Sequence, residues 1–115
     1  MINIKKHLSE PWFSLIKLGL KKYEGRLKKS DFLTLKKNDT ITFFNNDFDY
    51  NREYTVKIIK IRYYDSFETL LKKKLRIILP GIDTIDEGIK VYRKYYSEEA
   101  EKQYGVLAIK MNVIN

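Results

Sequence analysis

Three charged side chains at close spacing are the part of this sequence best suited to chemistry. Lys21, Glu24 and Arg26 lie within one short segment that is predicted to begin a strand. Glu24 and Arg26 are two apart, so their side chains share a face of that strand, and Lys21 enters from the preceding junction. Two cations and one carboxylate in a concave site can bind a phosphate while the carboxylate accepts a hydrogen bond from a base amino group. The competing interpretation is a surface ion pair between Glu24 and Arg26 or Lys22.

Aromatic and basic residues nearby extend this candidate site. Trp12 is the only tryptophan; on a helix face it either packs in the core or stacks on a base at the edge of a cleft. The predicted nucleic-acid contacts are Trp12, Lys17, Lys21, Lys22, Glu24, Arg26, Lys28 and Lys29. Tyr92 is predicted to belong to the core, whereas Tyr96 and Tyr104 suit either role.

The composition excludes several other kinds of chemistry. The chain has no cysteine and a single histidine, His7, which leaves no disulfide, thiol nucleophile, zinc cluster or Ser–His–Asp triad to build. Neither a P-loop nor a Gly-x-Gly-x-x-Gly motif is present. The sequence therefore predicts no metal and no cofactor.

Length and charge set the class of protein. The 115 residues predict one domain, 1–115, and the net charge is +8. Segment 17–37 is strongly basic and segment 83–102 is acidic, so the positive potential favours a polyanionic partner. The N-terminus does not have the pattern of a signal peptide, and no apolar run approaches the ~20 residues of a membrane span. We expect an intracellular protein, cytoplasmic or nuclear, that is a monomer without membrane contacts.

Local patterns predict the elements that must position these residues. Strands are expected at 2–8, 21–27, 39–45, 52–64 and 105–113. Helices are expected from Ser9 to a stop at Gly19, from Ser66 to the lysines at 72–74, from Thr84 to Tyr96, and from Ser97 to Gln103. The apolar pattern switches face at Ile58–Ile59, which predicts a bulge or burial on both faces. The order indicates an α+β fold, a small curled β-barrel of mixed strands with helices packed around it.

The stretch from Glu10 to Leu27 resembles the leading motif of the ASCH (ASC-1 homology) domain family of the PUA-like superfamily. It has Glu-Pro-Trp-Phe before the helix and Gly-x-Lys-x-x-Glu-Gly-Arg after it. Later segments resemble further landmarks of that family in the same order: Asn38-Asp39-Thr40-Ile41, Tyr64-Asp65-Ser66-Phe67, Leu79-Pro80-Gly81, Tyr95-Tyr96-Ser97 and Tyr104-Gly105-Val106-Leu107-Ala108-Ile109. The resemblance implies a PUA-like pseudo-barrel, a link to RNA binding or RNA modification, and a cleft lined by Lys21, Glu24 and Arg26.

Three functions stay open at this point. The first is binding of nucleic acid in that basic cleft, RNA in preference to DNA or a modified nucleoside, with recognition of a modified or flipped base. The second is hydrolysis by Lys21 and Glu24, as in a ribonuclease or in the similar N4-acylcytidine amidohydrolases, whose motif has threonine where this chain has Glu24. The third is protein interaction through the acidic C-terminal helices.

Overall fold

A five-stranded mixed sheet forms the frame of the protein. The computed structural model describes residues 1–114. The strands are β1 (Asn3–His7), β2 (Tyr23–Leu27), β3 (Thr40–Asn45), β4 (Arg52–Tyr64) and β5 (Val106–Val113). They lie in the order β1-β3-β4-β5-β2, with β1 parallel to β3 and the other neighbours antiparallel. The sheet curls into a half-barrel, which confirms the predicted α+β fold.

Four helices pack around this sheet. They are α1 (Trp12–Lys17), α2 (Phe67–Ile78), α3 (Ile85–Arg93) and α4 (Glu98–Tyr104). Ser66, Thr84 and Ser97 each cap a helix by accepting a hydrogen bond from a backbone N–H three residues later. The three predicted starts of the later helices are therefore confirmed.

A bulge in β4 helps to curl the sheet. Ile58 pairs with Met111 and Lys60 with Lys110, so Ile59 is an extra residue without a partner in β5. An extra residue bends its strand and increases the local twist. This confirms the bulge predicted from the change of apolar face.

The core fills the concave side of the sheet and the space beneath the helices. Ile41, Phe43, Val56 and Ile58 are fully buried on β3 and β4. Under the helices, the Phe67 ring stacks on that of Tyr92 with their centroids 4.1 Å apart. Both layers lie next to β2, whose residues 24 and 25 are also buried, and the charged residues of β2 are thereby enclosed.

Helix α1 differs from its prediction at its start. Pro11 occupies the N-cap position, and Ser9 does not cap the helix. The Glu10 carboxylate instead accepts a hydrogen bond from the Ser14 N–H at 2.9 Å. The helix ends at Lys17, and Gly19 follows in the left-handed region at φ = 79°. The glycine directly follows the C-cap residue Leu18 and ends the helix as predicted.

One predicted helix end coincides with a kink, and another was predicted in the wrong place. Helix α2 continues to Ile78, but its backbone leaves helical geometry at Lys74 (φ = −137°), so the lysines at 72–74 lie where the first part of the helix ends. Helix α3 ends at Arg93, and Tyr96 lies beyond it, outside any helix. The apolar pattern of the sequence includes Tyr96 because the Tyr96 ring packs against the core. The pattern therefore predicted a helix that was too long at this end. Within residues 1–114, none of the helices has the length and apolar character needed to cross a membrane.

Candidate binding cavity

A cavity of about 110 Å³ lies where β2 meets α1 and the end of α3. Four aromatic side chains contribute to its wall: Trp12, Tyr92, Tyr95 and Tyr96. The polar part of the lining is formed by Lys21, Glu24 and Arg26. An apolar protein cavity of ~150 Å³ takes up benzene, so this space is on the scale of one planar ring.

The turn between α1 and β2 directs Lys21 inward. The N–H groups of Leu20 and Lys21 both donate to the Leu15 carbonyl, which folds the chain back after Gly19. Lys21 is consequently only 1% exposed. Its ammonium donates a hydrogen bond to the Ile78 carbonyl at the end of α2, where the negative end of the helix dipole favours a cation.

Glu24 connects the two cations of the cavity. Its Oε1 lies 3.5 Å from Lys21 Nζ, and its Oε2 accepts a hydrogen bond from Arg26 Nε at 2.9 Å. Arg26 also donates from Nη2 to the His7 carbonyl at 3.2 Å. Side-chain exposure is 8% for Glu24 and 15% for Arg26. The Glu24–Arg26 pair therefore exists, but it is buried, and Lys21 rather than the exposed Lys22 is its third member.

Burial gives Lys21 unusual acid–base properties. Loss of hydration lowers the pKa of Lys21 to about 8, although the Glu24 carboxylate partly opposes this change. Burial would also lower the pKa of Arg26, but Glu24 outweighs that effect and holds it above its usual value. The cavity thus contains a permanent guanidinium, a carboxylate and an amine that loses its proton unusually easily.

Tyr92 presents a hydroxyl that has no hydrogen-bond partner among the described residues. The ring is fixed between Phe67 and Gly25, and a Cβ at position 25 would lie 2.6 Å from the Tyr92 hydroxyl oxygen. Burial raises the pKa of Tyr92 well above its usual value, so the hydroxyl stays protonated. Glycine at position 25 allows the phenol to approach β2 and to line the cavity.

The predicted contact residues divide into two groups. Trp12, Lys21, Glu24 and Arg26 meet at the cavity. The other four lie outside it: Lys17 and Lys22 border a shallow depression beside α1, Lys28 lies over the Tyr63 ring, and Lys29 lies over the Tyr104 ring. The cavity therefore encloses four of the eight predicted contact residues, and the four lysines outside it stay predictions.

Several lining residues were not predicted as part of the site. They include His7, Ser9 and Tyr95, whose hydroxyl lies 2.6 Å from the Ser9 hydroxyl. Tyr92 was assigned to the core, and it belongs to both core and cavity. The spacing of tyrosines along α3 was the available signal, but the contact with β2 depends on tertiary packing. No cluster of three or more potential metal ligands forms among residues 1–114.

The fold and the polar cavity beside the first helix define the class of protein. The ASCH domain profile matches residues 7–115, nearly the whole chain, and the chain belongs to the ASCH domain family. The crystal structure of hypothetical protein PH0355 is similar with a TM-score of 0.86 and 40% sequence identity, over 98% of this chain and 100% of that chain. The solution NMR structure of protein PF0455 from Pyrococcus furiosus is similar with a TM-score of 0.78 and 39% sequence identity, over 99% of each chain. No curated protein matches the chain.

Proposed function

We propose that this ASCH protein is a monomeric, single-domain nucleic-acid-binding protein that takes one base, in the first instance of RNA, into the cavity. The observation that carries the proposal is the polar lining, which is buried and incompletely hydrogen-bonded inside an aromatic wall. A buried hydroxyl without a partner costs about 1–3 kcal/mol, and a ligand that bonds to Tyr92 would recover that cost. Family membership supports a nucleic-acid role in general.

The arrangement of charges suits recognition of a base edge. The Glu24 carboxylate, held by Arg26 and Lys21, has further lone pairs that can accept from an exocyclic amino group. The aromatic wall offers rings for stacking, which contributes about 1–3 kcal/mol per base in single-stranded complexes. Lys21 is too deeply buried to meet a phosphate. In this proposal it orients Glu24, and exposed lysines contact the backbone.

Trp12 provides a direct test because the only tryptophan lines the cavity. Nucleosides, their deoxy forms and short oligonucleotides would be titrated while tryptophan fluorescence is recorded. We expect quenching by bases that carry an amino group. Replacing Glu24→Gln should weaken that binding by about 10- to 100-fold, the loss of one hydrogen bond to a charged acceptor.

A matched control is Glu98→Gln, which removes an exposed carboxylate of α4 away from the cavity. This variant should bind like the wild type. If no base changes Trp12 fluorescence, or if Glu24→Gln and Glu98→Gln behave alike in folded proteins, base recognition by the cavity is refuted.

The hydrolase alternative is favoured by one observation, the pKa of about 8 for Lys21 next to a carboxylate. An amine with this pKa is about one-tenth neutral near pH 7, and it can accept a proton from an attacking water. In N4-acylcytidine, that water would add to the acyl carbon, and cytidine and a carboxylic acid would leave. Glu24 replaces the threonine of the similar amidohydrolases, so water must be the nucleophile.

Mass spectrometry of N4-acetylcytidine and of short RNAs after incubation tests this second candidate. Product formed by the wild type, and lost in both Lys21→Met and Glu24→Gln, would support hydrolysis. Unchanged substrate in the presence of folded protein that binds the nucleoside would leave binding as the function.

A further inference from the structure

A second basic surface lies outside the cavity. It is a trough of about 680 Å³ between the chain that links β2 to β3 and strands β4 and β5. Its lysines continue onto a neighbouring depression between β4 and α2, since Lys60, Ile61 and Tyr63 line both. We call the whole surface the basic band; its cations are Lys28, Lys36, Lys37, Lys60, Arg62, Lys73, Lys74 and Lys110.

The basic band has no acidic partner within residues 1–114. Neither depression is lined by aspartate or glutamate, and none of the eight cations forms an ion pair among the described residues. The chain has 23 basic and 15 acidic residues, so the eight cations equal its entire positive excess. The remaining basic and acidic residues balance in number, so the basic band accounts for the net positive charge of the protein.

The sheet places two of these lysines in an unfavourable position. Lys60 and Lys110 are direct cross-strand partners on β4 and β5, just beyond the bulge at Ile59. Like charges directly opposite each other destabilise a sheet. A bulge also re-aims the side chains that follow it. The protein therefore holds cations together at a stability cost that a polyanion would relieve.

The floor of the trough favours an unpaired strand. Tyr63 is 58% exposed and Leu33 is 59% exposed, and both line the trough beside the lysines. Lys28 lies over the Tyr63 ring, 5.1 Å from its centroid. Aromatic rings interleaved with lysines bind single strands, because bases stack while the cations follow the phosphates.

We propose that the basic band is the docking surface for the phosphate backbone of single-stranded RNA. This proposal rests on the proposed function for the identity of the polymer, but the basic band is a site separate from the cavity. The Arg26 guanidinium lies over the Phe32 ring, 5.4 Å from its centroid, and Phe32 lines the trough. Cavity and trough are thus on opposite sides of this one contact, so a strand in the trough runs close to the base in the cavity.

The test replaces Lys60→Gln and Lys110→Gln together and measures binding of labelled oligouridine at several salt concentrations. For single strands, log K falls with log salt by about 0.7 for each phosphate contact. Losing two contacts should reduce the slope by about 1.4 and weaken binding about 25-fold at ~0.1 M salt. Because a like-charged pair is removed, the variant should unfold at an equal or higher urea concentration than the wild type.

The matched control is Lys90→Gln with Lys102→Gln, which removes the same charge from exposed positions on α3 and α4. Its salt slope should equal that of the wild type. Equal losses in both double variants would overturn the proposal, since net charge alone would then explain binding. Tighter binding of duplex RNA or heparin than of oligouridine would overturn it as well.

Nucleoside quenching of Trp12 separates this proposal from the previous one. If the basic band docks the backbone, the Lys60/Lys110 variant loses oligouridine affinity and keeps the wild-type nucleoside response. If no nucleoside quenches Trp12 but oligouridine binding still depends on Lys60 and Lys110, the cavity proposal fails and the basic band stands. Oligouridine binding that the double variant leaves unchanged refutes the basic band alone.

Discussion

The buried Lys21 should make the stability of this protein increase with pH above neutrality. Replacing it, Lys21→Met, keeps much of the apolar stem and removes the titrating amine. The ammonium is 1% exposed, so solvent does not screen its desolvation. The free energy of unfolding, measured at several pH values, reports how much that desolvation costs.

The sign follows from the number of protons bound. The pKa of Lys21 falls from its ordinary 10.5 in the unfolded chain to about 8 in the folded one. Between these values the unfolded chain holds the proton that the folded protein releases, so stability rises as the pH rises. This difference in the pKa of Lys21 between the unfolded and folded states corresponds to roughly 3 kcal/mol in the free energy of unfolding.

Other groups limit the window in which this rise can be measured. Burial raises the pKa of Tyr54, Tyr92 and Tyr96, and their unfolded forms ionise near pH 10. Above that pH the unfolded chain loses protons that the folded chain keeps, so stability falls again. The contribution of Lys21 should therefore be visible between about pH 8 and pH 10.

Urea unfolding followed by Trp12 fluorescence measures this directly. The wild type should gain stability from about pH 8 to pH 10, and Lys21→Met should lose most of that gain. The matched control is Lys22→Met, an exposed neighbour that should keep it. A wild type with flat stability over this range, or a Lys21→Met variant that rises as steeply, would refute an easily deprotonated amine in the cavity.

Two substitutions probe how β2 and α3 share the cavity wall. Tyr92→Phe removes a buried hydroxyl that has no hydrogen-bond partner among residues 1–114. It should raise the free energy of unfolding by about 1–3 kcal/mol and weaken base binding, as measured by urea titration and Trp12 quenching. Loss of stability in this variant would show that the hydroxyl is satisfied. Gly25→Ala places a Cβ 2.6 Å from the same oxygen and should cost about 1–3 kcal/mol by overpacking. In the Gly25→Ala background, Tyr92→Phe should raise the free energy of unfolding by more than it does in the wild type, because it also relieves the clash; equal gains in the two backgrounds would contradict a direct contact.

Local sequence signals were sufficient to predict most of the helices and strands of the fold. The helix starts at Ser66, Thr84 and Ser97 and the bulge near Ile59 depend on residues within a few positions of each other, and all were predicted. The cap of α1 was not, because Glu10 competed with Ser9 for the role and its longer side chain reached the Ser14 N–H. Both Ser9 and Glu10 carry a side-chain oxygen that can accept a hydrogen bond from the start of the helix, and the geometry of the turn determines which of them does.

The candidate site was predictable only where its members are neighbours in sequence. Glu24 and Arg26 share a strand face, so their contact followed from spacing. The acceptor for the Lys21 ammonium is the Ile78 carbonyl, 57 positions away, and no local pattern specifies that meeting. The approach of Tyr92 to Gly25 is also a tertiary contact between a helix and a strand.

The same limit explains why the lysines could not be sorted from the sequence. Lys21 and Lys22 are adjacent, yet one is enclosed beside a carboxylate and the other faces solvent. Lys60 and Lys110 are 50 positions apart, yet they are direct partners in the sheet. A count of charges treats all four alike. Burial decides which cation lies beside a carboxylate, and strand register decides which cations combine into one positively charged surface.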